Sequence, residues 1–377
     1  MKTLIKSTLY ILLLSALVFA KDKPSKSFNK SFNVSSKGTL TISLRVGNIT
    51  IETWNKPKVT IISNNLSESA LDDISITREG DNIEFDFYGS SSRQSLNIFT
   101  FVVPENFNIV SKTNSGDIEL FGQLKGNFEG NTSGGNFALD DIEGNVNVHS
   151  GGGDLDLQFV GGILKADTFG GDIDVEDVNG KHADIKTKGG SINVGRVKGE
   201  LSAHTYGGDI RIDFAGNHSE ILTYGGDIRL VKCEGNIITD TRGGDVKVYN
   251  AKGFIEARTN GGDLVLKNII GGVDARTNAG SIYAQLSPEG KLDSELRSLR
   301  GDIELVIPSK SNIAIDAKIR STLGKDLISS DFEPVTYKNR RNTLTATYKT
   351  GNGKNRITLS TVSSEIKIKK LKTRGRK

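Results

Sequence analysis

The sequence predicts an all-β fold, a single-stranded parallel β-solenoid with about 18 residues in each coil. Three observations predict it: an excess of glycine, a glycine-centred repeat, and alternation of apolar and polar residues within each repeat. The chain has 377 residues, of which 43 are Gly, 6 are Pro and 1 is Cys. Glycine normally supplies about 7% of a protein. The 36% hydrophobic content and the net charge of +4 exclude a disordered chain.

The first element is a predicted secretory signal peptide, residues 1–20. Lys2 and Lys6 precede an apolar run from Leu9 to Phe19, and Ala20 supplies a small residue for cleavage. The run is shorter than the roughly 20 residues of a membrane span; an uncleaved anchor is the alternative. We therefore expect an exported protein that is periplasmic, associated with the outer surface or secreted, with no transmembrane segment after cleavage.

Residues 21–110 are predicted to form an N-terminal β cap and the first rungs, a rung being one coil of the solenoid. Leu40–Leu44 and Ile83–Phe87 alternate between apolar and polar residues, as strands with one buried face do. A cap is expected because an open solenoid end exposes unpaired strand edges.

Residues 111–305 form the predicted solenoid repeats. The second glycine of each turn recurs mostly every 18 residues, at Gly116, Gly135, Gly153, Gly171, Gly190, Gly208, Gly226, Gly244, Gly262, Gly280 and Gly301. Asp, Asn or Ser follows, and then apolar residues alternate with polar ones. A second turn, usually marked by glycine, leads to another alternating strand; Asn217 replaces that glycine once, and we expect it to adopt a left-handed conformation. The apolar spacing favours a right-handed β-helix.

Residues 306–377 are predicted to hold C-terminal strands, a cap and a basic tail. Ile313–Ile315 and Ile357–Leu359 alternate like strands, and the segment from Lys367 to Lys377 contains seven Lys and Arg residues and no acid. Such a tail attracts anionic lipid or acidic polysaccharide, although a solvated terminus explains it equally well.

Four segments resemble an exported bacterial β-strand-repeat family of unknown function whose members are often labelled adhesins. They are an opening strand that ends in Trp (Val46–Trp54), a proline turn (Val103–Phe107), the Gly-Gly-Asp-Ile copies, and a closing repeat (Arg356–Ile366). The resemblance implies the solenoid fold and carries over no catalytic motif.

The acidic residue after each glycine pair is predicted to be structural. Asp, Asn and Ser all occupy this column, and all three accept a backbone N–H in a turn. Cation binding, with calcium between stacked carboxylates, is the alternative. The predicted turn residues are Asp154, Asp172, Asp209, Asp227, Asp245 and Asp263.

Two further columns are predicted to face inward. A Thr and Ser column is expected at an inner corner, where its hydroxyls bond between rungs. Cys233 shares a column with Val178 and Ala251 and is expected to be a buried thiol.

Outward columns are where we expect function. One column changes from acidic residues (Glu119, Asp156, Asp174) to basic residues along the chain. Another column carries aromatic residues that can stack on sugar rings; the alternative is a surface ladder that shields the turn backbone. The candidate ligand-binding residues are Phe169, Tyr206, Tyr224, Arg211, Arg229 and Lys247.

The sequence therefore predicts a non-catalytic, adhesion-like scaffold of the cell envelope. We expect no cofactor, no metal and no nucleic acid, and a partner that is an envelope polysaccharide or an anionic surface. A polysaccharide-processing β-helix enzyme and a self-associating structural element are the alternatives. Repeats with almost no insertions leave no walls for a catalytic cleft, which disfavours the enzyme.

Overall fold

The computed structural model describes residues 26–35, 37–89, 97–320 and 327–372, so the predicted signal peptide lies outside the described residues. The chain opens with β1 (Lys26–Asn33), β2 (Thr39–Leu44), β3 (Asn48–Trp54), β4 (Lys58–Leu66), α1 (Glu68–Leu71), β5 (Ile74–Glu79), β6 (Asn82–Phe87) and β7 (Ile98–Pro104).

The central strands follow in short succession. They are β8 (Asn108–Thr113), β9 (Ile118–Leu124), β10 (Phe128–Thr132), β11 (Phe137–Ile142), β12 (Val146–Ser150), β13 (Leu155–Val160), β14 (Leu164–Thr168), β15 (Ile173–Val178), β16 (His182–Lys186), β17 (Ile192–Val197), β18 (Glu200–His204), β19 (Ile210–Ala215), β20 (Ser219–Leu222), β21 (Ile228–Asp240), β22 (Val246–Tyr249), β23 (Ala251–Thr259), β24 (Leu264–Thr277) and β25 (Ile282–Ser287).

The last strands close the fold. They are β26 (Ser294–Ser298), β27 (Ile303–Ile307), β28 (Ile313–Arg320), β29 (Ile328–Ser330), β30 (Thr336–Arg340), β31 (Thr343–Thr350), β32 (Asn355–Val362) and β33 (Ile366–Lys370).

The strands stack into two parallel layers, which confirms the predicted β-solenoid. The first sheet runs through β8, β10, β12, β14, β16, β18 and β20, and the second through β9, β11, β13, β15, β17 and β19. The long strands β21 and β24 pass through a turn and belong to both sheets. Paired residues are one repeat apart, as in Phe137 opposite Leu155.

Two kinds of turn join the sheets. We call the turn from the first sheet to the second the glycine corner, and the turn back the return corner. At the glycine corner, a Cβ on Gly153 would lie 2.0 Å from the Gly135 carbonyl oxygen, whereas one on Gly152 would meet nothing within 4 Å. The second glycine is therefore required because successive rungs touch there.

The buried Thr and Ser column holds the glycine corner together, as predicted. The Thr205 hydroxyl is 3% exposed and donates to the Gly190 carbonyl of the preceding rung at 2.7 Å. The same bond recurs along the rod, for example from Thr168 to Gly153 at 2.8 Å. These bonds satisfy carbonyls that the tight turn leaves without a strand partner.

The return corner corrects one prediction. Asn217 is not left-handed; the next residue, His218, is, with φ of 62°. The Asn217 side chain instead accepts the backbone N–H of Asn236 in the next rung at 2.7 Å. Asparagine suits this position because its side-chain oxygen accepts a hydrogen bond from the next rung.

The core lies between the two sheets and changes along the rod. Its N-terminal part is rich in fully buried phenylalanine, including Phe85, Phe99 and Phe101, whose rings contact each other at centroid distances near 5 Å. The middle rungs are filled by smaller aliphatic residues. Cys233 is 1% exposed and pairs with Ala215 and Ala251, and burial raises the pKa of its thiol to about 12. Its predicted core position is confirmed.

Both ends insert a rung out of sequence order. The rung formed by β2 and β3 lies between the rungs of β6–β7 and β8–β9. At the other end, the rung of β32 and β33 lies between those of β26–β27 and β28–β29. Antiparallel strands, β1, β4 and β5 at one end and β30 and β31 at the other, then cover the open edges.

The segment from Lys367 is therefore not a free tail along its whole length. Lys367–Lys370 belong to β33, whose Ile366 and Ile368 are buried, and Lys369 contacts Glu304 at 2.9 Å. Residues 373–377 lie outside the described part of the chain.

Candidate functional site: the outer face of the second sheet

The outward column predicted to change charge is a physical column on the second sheet. The strand register places Asp156 beside Asp174, then Asn193, Arg211, Arg229 and Lys247 in successive rungs. Ala138 and Glu119 continue the same column in the N-terminal direction. Side chains of one column are separated only by the strand spacing of about 4.8 Å.

The whole outer face of the second sheet shares this division. Strands β9, β11, β13 and β15 carry no Lys or Arg. We call their acidic residues the acidic half; they are Glu119, Asp140, Asp141, Asp156, Asp174, Glu176 and Asp177. The second-sheet segments that follow are β17, β19, residues 228–233 of β21, β22 and residues 264–270 of β24, and Asp213 is the one acid within these segments. We call the basic residues of these segments the basic half; they are Arg196, Arg211, Arg229, Lys232, Lys247 and Lys267.

The acidic half is poorly neutralised. Partial burial, followed by the charges of Asp174, Asp140 and Glu176, raises the pKa of the Asp156 carboxyl above its ordinary value. Among the described residues, Asp177 alone of this half forms an ion pair, with Arg196 at the boundary between the halves. Asp174 also accepts a hydrogen bond from the Asn193 side-chain amide at 2.8 Å, but among the described residues no cation other than Arg196 offsets the repulsion within this half.

A shallow hollow marks the boundary between the halves. Gly195 has no side chain to fill the outer surface, and Asp174, Glu176, Arg211 and Asp213 surround the resulting hollow of about 260 Å³. This is smaller than the roughly 300–1,000 Å³ of ligand pockets, and it is open to solvent rather than enclosed. The hollow suits contact with a surface better than the capture of a small substrate.

The basic candidate residues point outward beside the glycine corner. Arg211 lies 3.9 Å from Asp213, and Lys247 lies 2.9 Å from the Asp245 carboxylate. The Arg229 guanidinium lies over the Tyr249 ring, 4.9 Å from its centre. Arg211 and Arg229 are exposed and Lys247 is 34% exposed, and a neighbour holds the orientation of each.

The aromatic candidates lie at the glycine corner, with cations between and beside them. Lys188 lies over the Phe169 ring at 4.1 Å, Tyr206 and Tyr224 stack at 4.9 Å, and Arg242 covers Tyr224 at 4.2 Å. Neighbouring side chains thus occupy ring faces that a sugar would need, while the three residues remain 43% to 58% exposed. The geometry favours the predicted alternative, a surface ladder that shields the turn.

The aspartates of the turn column accept backbone N–H groups, but not from their own turn. Asp154 accepts the N–H of Asp172 in the next rung at 2.8 Å, and Asp227 accepts that of Asp245 at 2.7 Å. The predicted local turn bond is therefore replaced by a bond between rungs. The remaining aspartates of the set do the same: Asp172, Asp209, Asp245 and Asp263.

The acceptor role has an electrostatic consequence at Asp245. The N–H of Asp263 and the hydrogen bond from Lys247 lower the pKa of its carboxyl. Across the described ranges, no three His, Cys, Asp or Glu side chains are grouped in a way that could hold a metal ion.

The outer face of the first sheet contrasts with the second. In several of its strands an acid and a base stand two residues apart, so that Asp184 contacts Lys186 at 2.8 Å and Asp274 contacts Arg276 at 2.7 Å. Strands β10, β18 and β20 carry an acid without a Lys or Arg. Sequence analysis did not single out this face. The acid–x–base spacing in β16, β23, β24 and β26 was the signal that could have identified it.

The described residues include no helix long and apolar enough to cross a membrane.

Three solved structures show weak similarity to this chain. A "putative cell adhesion protein" from Clostridium sporogenes is 12% identical, with 92% of this chain and 100% of that chain covered and a TM-score of 0.15. A "putative lipid binding protein" from Parabacteroides distasonis is 14% identical (74% and 96% covered, TM-score 0.28). A "putative adhesin" from Parabacteroides merdae is 15% identical (74% and 96% covered, TM-score 0.26).

No curated protein matches the sequence. The model of the family described as Toastrack DUF4097 matches residues 18–250, which is more than half of the chain. That match extends from before β1 into the middle of the solenoid and includes the opening strand and most of the Gly-Gly-Asp copies. The chain therefore belongs to the Toastrack family, DUF4097.

Proposed function

We propose that this protein is an exported, non-catalytic, adhesion-like scaffold that binds surfaces of the cell envelope through the outer face of its second sheet. The observation that carries the proposal is the separation of charge on that face. Unneutralised like charges destabilise a folded chain, so a face that keeps them is suited to an electrostatic partner.

The shape of the described rungs supports a role in binding rather than catalysis. Between β8 and β25 the corners are short, and the hollow at Gly195 is open and small. An enzyme acting on a polysaccharide would need an enclosed groove with positioned acids. A flat face instead distributes many weak contacts over a large area.

The test compares two matched variants of the mature chain. Arg211→Glu/Arg229→Glu/Lys247→Glu reverses the basic half, and Lys112→Glu/Lys165→Glu/Lys318→Glu makes the same change of charge on the first sheet. Binding to acidic and neutral polysaccharides, and to anionic and neutral lipid vesicles, is measured between low and high salt. We expect at least one anionic probe to bind in a salt-sensitive way, and the second-sheet variant to lose about tenfold or more in affinity.

The first-sheet variant should retain most of the binding. Equal losses in both variants would show that only net charge matters and would contradict the proposed surface. Turnover of any of the polysaccharides would contradict the non-catalytic role.

A further inference from the structure

We propose that the second-sheet face binds a second copy of this chain, with the two faces in contact and the two rods antiparallel. This inference goes beyond the proposed function and gives the same surface a second occupant, which would compete with an envelope ligand for it. The second copy uses both halves of the face at once.

The charge pattern is complementary to itself about the rung of β17. In the outward column, Asn193 is the neutral centre, with Asp174 one rung before it and Arg211 one rung after it. Asp156 and Arg229 stand two rungs before and after. The column therefore has opposite charges one and two rungs from Asn193, whereas three rungs out Ala138 stands opposite Lys247.

A two-fold axis along the direction of β17 converts that pattern into contacts. It reverses the rod and keeps each column opposite its own copy, as an isologous interface requires. Asp174 then faces Arg211 of the partner subunit, and Asp156 faces Arg229 of the partner subunit. Each contact occurs twice, once on either side of the axis.

The repeat allows neighbouring contacts across the interface to form in the same register. Both copies have the same rung spacing of about 4.8 Å, so a register that matches one pair also matches the next. A parallel arrangement would put Asp156 and Asp174 against themselves, and like charges at such short distances repel even in water. Charge thus selects the antiparallel orientation.

The area of the face is sufficient for a specific dimer. The strands from β9 to β24 form nine rungs of the second sheet, and at about 4.8 Å per rung and about 20 Å per strand they span about 800 Å². A standard interface buries about 800 Å² on each partner. The hollow at Gly195 lies at the centre, where the two backbones approach most closely.

Two contacts oppose this arrangement. In the next outward column, Glu176 faces Asp213 of the partner subunit. The Arg211 side chain, 3.9 Å from Asp213, reduces that repulsion. In the column beyond that one, Arg196 of the β17 rung faces Arg196 of the partner subunit, although each is paired with its own Asp177. An acidic polymer would bind only the basic half, whereas a second copy gives Asp156 and Asp174 of the acidic half cationic partners as well.

The test is a charge swap, measured by sedimentation equilibrium of the mature chain. The first variant, Arg211→Glu/Arg229→Glu, makes the four charged positions within two rungs of Asn193 in this column acidic, and the second, Asp156→Lys/Asp174→Lys, makes them basic. We expect the wild type to dimerise at micromolar concentration in low salt. Each variant alone should weaken self-association by about 100-fold, since like charges then meet across the interface.

Mixing the two variants should restore a one-to-one dimer, because an acidic face then meets a basic one. This rescue also shows that both variants are folded, and thermal melts of each provide a second check. The first-sheet variant Lys112→Glu/Lys165→Glu should dimerise like wild type.

A monomeric wild type, or a variant that still dimerises alone, would overturn the inference. If the wild type is monomeric but binds an anionic polysaccharide or vesicle through Arg211 and Arg229, the proposed function stands and this inference fails. If neither a dimer nor an anionic ligand is found, both fail.

Discussion

The two outer faces of the solenoid carry similar numbers of charged residues in different arrangements. On the first sheet, several strands carry an acid and a base two residues apart, as in Asp274 and Arg276, which contact each other in the same rung. On the second sheet, acids occupy the N-terminal rungs and bases the following ones, so that Asp156 has Asp174 as its neighbour.

The backbone does not cause this difference, because both faces are parallel sheets with the same rung spacing. The difference lies only in the outward side chains, which the fold leaves free to vary. Pairing within a rung neutralises an acid by a base of the same strand. Separation along the rod leaves like charges next to each other, and a partner of opposite charge would neutralise them. For this reason we propose that the second sheet carries the function.

The largest effect on stability is expected at the glycine corner, which connects the two sheets. Gly153→Ala would place a Cβ 2.0 Å from the Gly135 carbonyl oxygen, so the rungs must separate. We expect destabilisation by about 3 kcal/mol or more, the upper range for overpacking. Thermal and urea unfolding followed by circular dichroism would measure it.

Gly152→Ala is the matched control, because a Cβ there meets nothing within 4 Å. Ala279 occupies the corresponding position of a later rung in this chain. We expect a change of less than about 1 kcal/mol, since alanine also restricts the unfolded chain. Similar losses in the two variants would show that the corner does not depend on contact between rungs.

A smaller effect is expected from the aspartate column that borders the second-sheet face. Asp227→Ala removes the acceptor of the Asp245 N–H and should cost about 1 kcal/mol. Asp227→Asn keeps the acceptor oxygen, as Asn136 does naturally for the N–H of Asp154. Asparagine should therefore retain wild-type stability in a thermal melt.

Equal destabilisation by alanine and asparagine would mean that the carboxylate charge, not the hydrogen bond, matters in this column. Cation binding would then return as an explanation. In that case, adding calcium should raise the melting temperature of the wild type and leave that of Asp227→Asn unchanged.

The rungs and their inward columns were predictable because one-sided burial imposes a period of two. This local pattern identified the buried position of Cys233 and the corner position of Thr205. The division of charge was also visible in the sequence, since residues one repeat apart occupy one column.

The remaining features depend on contacts between rungs, which local patterns do not encode. The glycine pairs were predicted as turn residues, but the second glycine is required by the carbonyl of another rung. Alternation likewise does not specify which rung is a neighbour, so the insertion of β2–β3 and β32–β33 was not predicted. The buried Ile366 and Ile368 did alternate, and this signal was hidden by the high density of lysine around them.

The smallest effect tests the comparison of the two faces directly, because the same substitution should have opposite signs on them. Asp156→Asn removes repulsion with Asp174 and should stabilise the chain by less than about 1 kcal/mol. Asp274→Asn breaks the contact with Arg276 on the first sheet and should destabilise it by a similar amount. Both are measured as thermal melts at low salt, with the protein dilute enough to be monomeric.

The pH dependence separates charge from packing. The pKa of Asp156 is raised in the folded state, so the folded chain binds this proton more tightly than the unfolded chain. Its destabilising contribution is full at neutral pH and disappears as the pH falls through the raised pKa toward the ordinary value of 3.8. The stabilisation by Asp156→Asn should shrink over the same range and should also shrink in high salt. A gain that does not depend on pH or salt would mean that the acids of the second sheet do not repel one another, and the distinction between the two faces would be lost.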